Sequence, residues 1–173
     1  MTTISPCRCG VKPIGLALLL TASAAGAPRS VQAQLLPHKD LSLATSLAIA
    51  TAAYEHCKAT DYKVSVTVVG REAQIMVYLR GDGSPPHSVE NSYRRAYTAL
   101  TYREPSGLVE KRVRNDPGDQ LVHLREVMGA QGGLPIVVDG DVIGAVAVSG
   151  SPGGDKDEAC AQAGLDKAAS LLK

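Results

Sequence analysis

Between Asp40 and Ala59 apolar residues return at intervals of four and three, at Leu43, Leu47, Ala50, Tyr54 and Cys57. That spacing aligns side chains on one face of an α-helix. The period then changes to two. Val64, Val66 and Val68 share a face in Lys63–Gly70, and Ile75, Val77 and Leu79 alternate with Gln74, Met76 and Tyr78. Two such runs separated by a few polar residues predict an antiparallel hairpin. "DGSPPHS" (Asp82–Ser88) is turn chemistry, and Ser88 is placed as the cap of a second helix. Tyr93, Ala96, Tyr97 and Leu100 supply that helix with an apolar face. Pro105 and Gly107 close it, and Leu108–Arg114 adds a further helical turn or two. Leu121–Met128 has no decisive period.

"GGLPIVVDGDVIGAVAVSG" (Gly132–Gly150) carries five glycines, which raises the question of a phosphate loop. A phosphate loop of the Walker type ends in Gly-Lys-Ser/Thr and opens a helix; neither feature is present. Instead, two runs rich in β-branched residues flank Asp139-Gly140, a dipeptide suited to a type I′ hairpin turn. Gly144, inside the second run, marks a bulge or a close backbone approach. After "SPGGD" a last helix follows, with Asp155 as its cap and Asp157 and Glu158 in the turn favoured by the helix dipole. Its inner face is Cys160, Gly164, Ala168 and Leu171. Helices alternating with hairpins, and not with parallel crossovers, predict a single α+β domain: an antiparallel sheet built from hairpins with flanking helices.

The first 33 residues read differently. Arg8 and Lys12 precede an apolar run, Ile14–Ala27, too short to span a bilayer as a helix. "VQA" (Val31–Ala33) offers the small residues of a cleavage site. Residues 1–33 are therefore expected to be a signal peptide and residues 34–173 the mature domain, periplasmic or secreted and not an integral membrane protein. Without Arg8, Lys12 and Arg29 the 18 basic residues become 15, against 17 acidic ones. A net-negative domain without Trp or Phe is poorly suited to nucleic acid, which needs clustered cations and stacking rings. Two cysteines remain, Cys57 and Cys160, with no CxxC pattern. In an exported protein they are expected to be bonded, with two buried thiols as the alternative. One sits in the last turn of the first helix and the other in the first turn of the last.

Chemistry is sparse. No Gly-x-Ser-x-Gly elbow surrounds any serine, and the four histidines include no pair at helical spacing for zinc. The richest segment is Arg94–Arg114, with six basic residues against Glu104 and Glu110. It reads either as an anion site or as a solvated face.

"RGDG" (Arg80–Gly83), "RRAYTA" (Arg94–Ala99), "GGLPI…GDVIGAVAVSG" and "DEACAQAGLD" (Asp157–Asp166) resemble, in order and spacing, the blocks of the GlcG/HbpS-like heme-binding family. The resemblance runs from about Leu41 to Leu172. It departs at three places: Arg95 stands where the family usually has Lys, Glu104-Pro105-Ser106 replaces Arg-Pro-Thr, and Gly70–Ala73 replaces an Asp-x-x-Gly turn. The resemblance implies a small homo-oligomeric domain that binds heme or a related tetrapyrrole. The alternative is an enzyme that degrades heme or acts on a small organic acid such as glycolate. A bound heme needs an axial donor and cations for its propionates. His87 and His123 are the candidate donors, with Tyr93 and Tyr97 also open. Arg80 and Arg95 are the candidate cations, and Thr98, on the same helix face as Arg95, adds a hydroxyl.

Overall fold

In the computed structural model, which describes residues 34–116 and 118–173, both hairpins form and join in one sheet. The expected signal peptide lies outside the described residues. The elements run α1 (Leu43–Ala59), β1 (Ser65–Gly70), β2 (Ile75–Arg80), α2 (Pro86–Tyr102), α3 (Ser106–Asn115), a 3-10 turn (Gln120–His123), β3 (Gly133–Val138), β4 (Asp141–Ser149) and α4 (Gly154–Ala168). The strand order is β2-β1-β4-β3, antiparallel throughout. The protein is thus a single α+β domain. Among the described residues no helix is long and apolar enough to cross a membrane.

The central strands are buried on both faces, and their alternation sorts side chains by size. Val66 and Val68 of β1 and Val146 and Val148 of β4 join the cluster that holds Ile49, Ala53 and Cys57 of α1 with Cys160 and Ala161 of α4. The intervening Val69, Ala145 and Ala147 pack with Ala96 and Ala99 of α2. The remaining positions of β1 facing α2 are hydroxyls. Ser65 Oγ lies 2.9 Å from Ser88 Oγ, and Thr67 Oγ1 lies 2.8 Å from Ser92 Oγ. Buried polar groups are tolerated when they pair in this way.

α2 therefore meets the sheet through Ser88, Ser92, Ala96 and Ala99, while Tyr93 and Leu100 sit at the margin of the contact. Its start also differs from the expected Ser88 cap. Pro85 takes the cap position and Pro86 opens the helix, because proline's fixed φ suits the first helical position. Ser88 Oγ is free to donate to Pro85 O (2.7 Å). α1 is phased differently too: Ser46, Ile49, Ala50, Ala53 and Cys57 are buried, whereas Leu43 and Leu47 are exposed. Small residues win the inner face because α4 packs closely there. A Cβ added to Gly164 would stand 2.6 Å from Ile49 O. α4 is capped by Gly153, not by Asp155. The Asp139-Gly140 turn has both residues at positive φ, 52° and 81°, as a type I′ turn requires.

Two cross-links tie the layers. The Cys57–Cys160 disulfide joins α1 to α4 with Cα atoms 5.5 Å apart. On the other side, Arg95 Nη1 donates to Asp157 Oδ2 (2.7 Å) and to Val148 O (2.9 Å), while Asp157 Oδ1 accepts from Ser151 N (3.0 Å). That ion pair, with side chains 12% and 2% exposed, joins α2, the end of β4 and the start of α4.

Two outcomes are expected from urea denaturation. Reduction removes a cross-link between residues 103 apart in sequence, worth about 4–5 kcal/mol in the chain-entropy model. The midpoint should fall clearly with reductant, and an unchanged midpoint would show the bridge to be energetically idle. Asp157→Asn leaves the guanidinium buried without its counter-charge and should cost about 3–5 kcal/mol. Arg95→Met combined with Asp157→Leu should recover much of that loss; a single variant as stable as the wild type contradicts the role given to the pair.

Candidate functional site

α2 lies over β1, β4 and β3, and β2 stands beyond it as an edge strand. The register settles which of its side chains look out on that side. Ser65, Thr67 and Val69 face α2, and their partners across the ladder are Arg80, Tyr78 and Ile75. Directly opposed residues share a face of a sheet, so Ile75, Tyr78 and Arg80 form one strip on the α2 side of β2. The alternation of the strand put Ile75 with Val77 and Leu79 instead. A bulge between Val68 and Val69 leaves Met76 unpaired and moves Ile75 across. In the preceding turn Ala73 adopts φ 59°, a left-handed position more usual for glycine.

The strip is open: Ile75 is 54% and Tyr78 37% exposed, and Arg80 is exposed as well. Tyr93 and Leu100 of α2 pack against the cluster of Val69, Ala96, Ala99, Ala145 and Ala147. Tyr78 is held from below, since its hydroxyl donates to Ser65 Oγ (3.3 Å), which meets Ser88 Oγ (2.9 Å). Tyr93 is placed otherwise. Burial, with the nearby Glu126 carboxylate, pushes its hydroxyl above the ordinary tyrosine value.

The residues expected to bind ligand divide into two groups. Arg80, His87 and His123 are exposed and make no side-chain hydrogen bond or ion pair among the described residues. His87 is in the first turn of α2, and His123 ends the 3-10 turn. That turn belongs to a segment running beside the second half of α2, for Val127 O accepts from Arg94 and Met128 N donates to Thr98 Oγ1. The two imidazoles are thus not brought together. Arg95 and Thr98 are engaged internally: Arg95 with Asp157, and Thr98, fully buried, donating to Arg94 O at 2.7 Å and accepting from Met128 N at 2.8 Å.

The basic segment is largely neutralised by its surroundings. Arg112 pairs with Glu104 (2.6 Å), Arg114 with Glu110, and Arg103 approaches Asp141 (3.9 Å). Ser106, in place of the family's threonine, is structural here: its hydroxyl donates to Ala130 O and accepts from Gly133 N. Near the β1–β2 turn, the Arg71 guanidinium holds Asp141 below the usual carboxylate range by hydrogen bonding. No group of three or more His, Cys, Asp or Glu side chains suited to a metal ion occurs among the described residues.

A heme asks for a different set: one accessible donor for the iron, apolar surface for the ring and a cation for the propionates. Of that set the described residues offer exposed Tyr78, His87 and His123, the exposed Ile75 on β2, and Arg80 without a side-chain hydrogen bond or ion pair. Sequence reasoning missed Ile75 and Tyr78, because in a regular strand Tyr78 belongs to the outward phase and Ile75 to the inward one.

The family described as "Haem degrading protein HbpS-like" matches residues 41–166. Protein GlcG of Escherichia coli K12 is 32% identical over 109 residues, 63% of this chain and 81% of GlcG. The crystal structure of HbpS is 33% identical, covers 83% of this chain and 99% of HbpS, and superposes with a TM-score of 0.74; a variant of the Streptomyces reticuli protein gives the same score. A crystal structure of a PduOC:heme complex, 24% identical over 75% of this chain and 95% of that one, shares the fold with a TM-score of 0.69. With nearly the whole folded unit matched, the chain belongs to the family described as "Haem degrading protein HbpS-like".

Proposed function

We propose that the protein is an exported heme-binding protein that holds heme or a related tetrapyrrole. The observation that carries this reading is the strip on β2, where apolar surface, a hydroxyl-tied tyrosine and an unpaired guanidinium lie in one line. Membership of a family described by its action on heme supports the same ligand class. Arg80 meets a propionate, and the iron takes its donor from side chains on or near α2, among them the exposed His87, His123 and Tyr78 and the half-buried Tyr93 and Tyr97. Arg95 and Thr98 serve the site from behind. One fixes α2 to the start of α4, and the other fixes the segment that leads into β3.

Export is supported by the charged, apolar and small-residue pattern of residues 1–33 and by the disulfide, which suits an oxidising compartment. The protein acts as a homo-oligomer in this reading, supported by an edge strand with its backbone groups unpaired on one side. A degrading enzyme is the second reading, favoured by the family description. Action on a small acid such as glycolate has less support, because among the described residues no acid and base pair converges on an open site.

Hemin titration tests the binding reading. The wild type should give a shifted, saturable Soret band, and Arg80→Met should weaken binding about tenfold, the weight of one charge-assisted hydrogen bond. A shift that never saturates would remove heme as the ligand. Persistence of the band under reductant and oxygen supports binding alone, and its decay supports degradation.

A further inference from the structure

We infer that the cavity between α3 and α4 holds a small amino acid as its zwitterion, the ammonium end on Glu158 and the carboxylate end towards Lys111. The site is separate from the β2 strip and does not depend on the heme reading.

The cavity measures about 160 Å³ and is lined by Pro105, Gly107, Leu108, Lys111, Gln131 and Glu158. Its acidic wall carries an unmatched acceptor. Glu158 Oε1 accepts from Gln131 Nε2 (3.1 Å), whereas Glu158 Oε2 is enclosed and meets no protein donor. A carboxylate oxygen turned away from water costs free energy until a donor reaches it. The Gln131 side chain is engaged through Nε2 among the described residues, which leaves its carbonyl oxygen as a second acceptor. Two neighbouring acceptors, one of them charged, suit an ammonium group with its three donors.

The acceptors are held in place. Gln131 N donates to Glu110 Oε2 (2.7 Å), and the residue is gripped between two helices. A Cβ on Gly107 of α3 would stand 3.0 Å from Gln131 Cγ, and one on Gly154 of α4 would stand 2.9 Å from Gln131 Cβ. A site built before its ligand arrives loses less freedom on binding.

The opposite charge stands at the same cavity. Arg112 and Arg114 of α3 pair with Glu104 and Glu110. Lys111 is exposed and makes no side-chain hydrogen bond or ion pair among the described residues. α3 also starts there, with Pro105 at the cap position and no capping side chain, and a helix start favours a negative group beside it. A simple cation would meet Lys111, and a simple anion would meet Glu158. A molecule carrying both charges on adjacent carbons satisfies both walls. Pro105 and Leu108 give its short side chain an apolar neighbour.

Glycine is the probe, and methylamine and acetate, each carrying one of its ends, are the controls. Titrations followed by amide NMR should show saturable shifts of the Gln131 side-chain amide in the millimolar range, as a ligand of so few atoms allows. Methylamine and acetate should each bind more weakly by about tenfold or more. Glu158→Gln keeps the shape and removes the charge; it should weaken glycine about tenfold, with circular dichroism unchanged. Lys111→Met should weaken glycine and leave methylamine as in the wild type. If Glu158→Gln fails to fold, Lys111→Met, at an exposed position, decides. Glycine shifts that never saturate overturn the inference. So does methylamine or acetate binding as tightly as glycine, or a folded variant of either residue that keeps the wild-type affinity for glycine.

Discussion

A core with no phenylalanine and no tryptophan must gain its cohesion from closeness. Dispersion falls off steeply with separation, so small side chains stabilise only if the backbones behind them come near. The molecule meets that constraint wherever helices touch the sheet or one another. A Cβ on Gly133 would stand 2.5 Å from Arg95 O, where α2 rests on β3, and Gly164 brings α4 against the α1 backbone. Where even alanine gives way to serine and threonine, hydroxyls pair across the interface. The disulfide and the Arg95–Asp157 pair act at the two helix layers, fixing elements whose apolar contacts are individually modest.

The same closeness determines where a ligand can sit. α2 rests on β1, β4 and β3, so its width is used up before β2 is reached. The cations on α2 are spent in seating it, Arg94 on Val127 O and Arg95 on Asp157. Arg80, which makes no side-chain hydrogen bond or ion pair among the described residues, lies at the margin, on the strand that α2 leaves bare. Site and scaffold are connected through Ser65 and Ser88, which seat α2 and at the same time anchor the Tyr78 hydroxyl.

Much of the fold is legible from the sequence, because period and turn chemistry are local. Asp139-Gly140 announces its turn, and the change from helical to alternating spacing announces both hairpins. The inner faces of α1 and α2 are harder to read. Hydropathy favours Leu43, Leu47 and the tyrosines of α2, whereas the neighbouring backbone demands Ser46, Ala53, Ser88 and Ser92. Such steric demands come from partners distant in the chain. The open strip was concealed for a similar reason. Its geometry depends on a bulge that follows a left-handed residue, and that residue is Ala73, with no glycine to signal it. Arg80 was recognised because a charged residue ending a strand is exposed in any register. Arg95 and Thr98 carried the right chemistry for a ligand, but Asp157 and the Met128 N–H, more than 25 residues away along the chain, engage both.

The position of the iron tests this picture most directly. In crystals of the protein grown with hemin, anomalous scattering at the iron absorption edge locates the metal independently of how the ring is built. The iron peak is expected on the α2 side of the sheet, with the propionates towards Arg80. A peak on the α1 and α4 side of the sheet would contradict it.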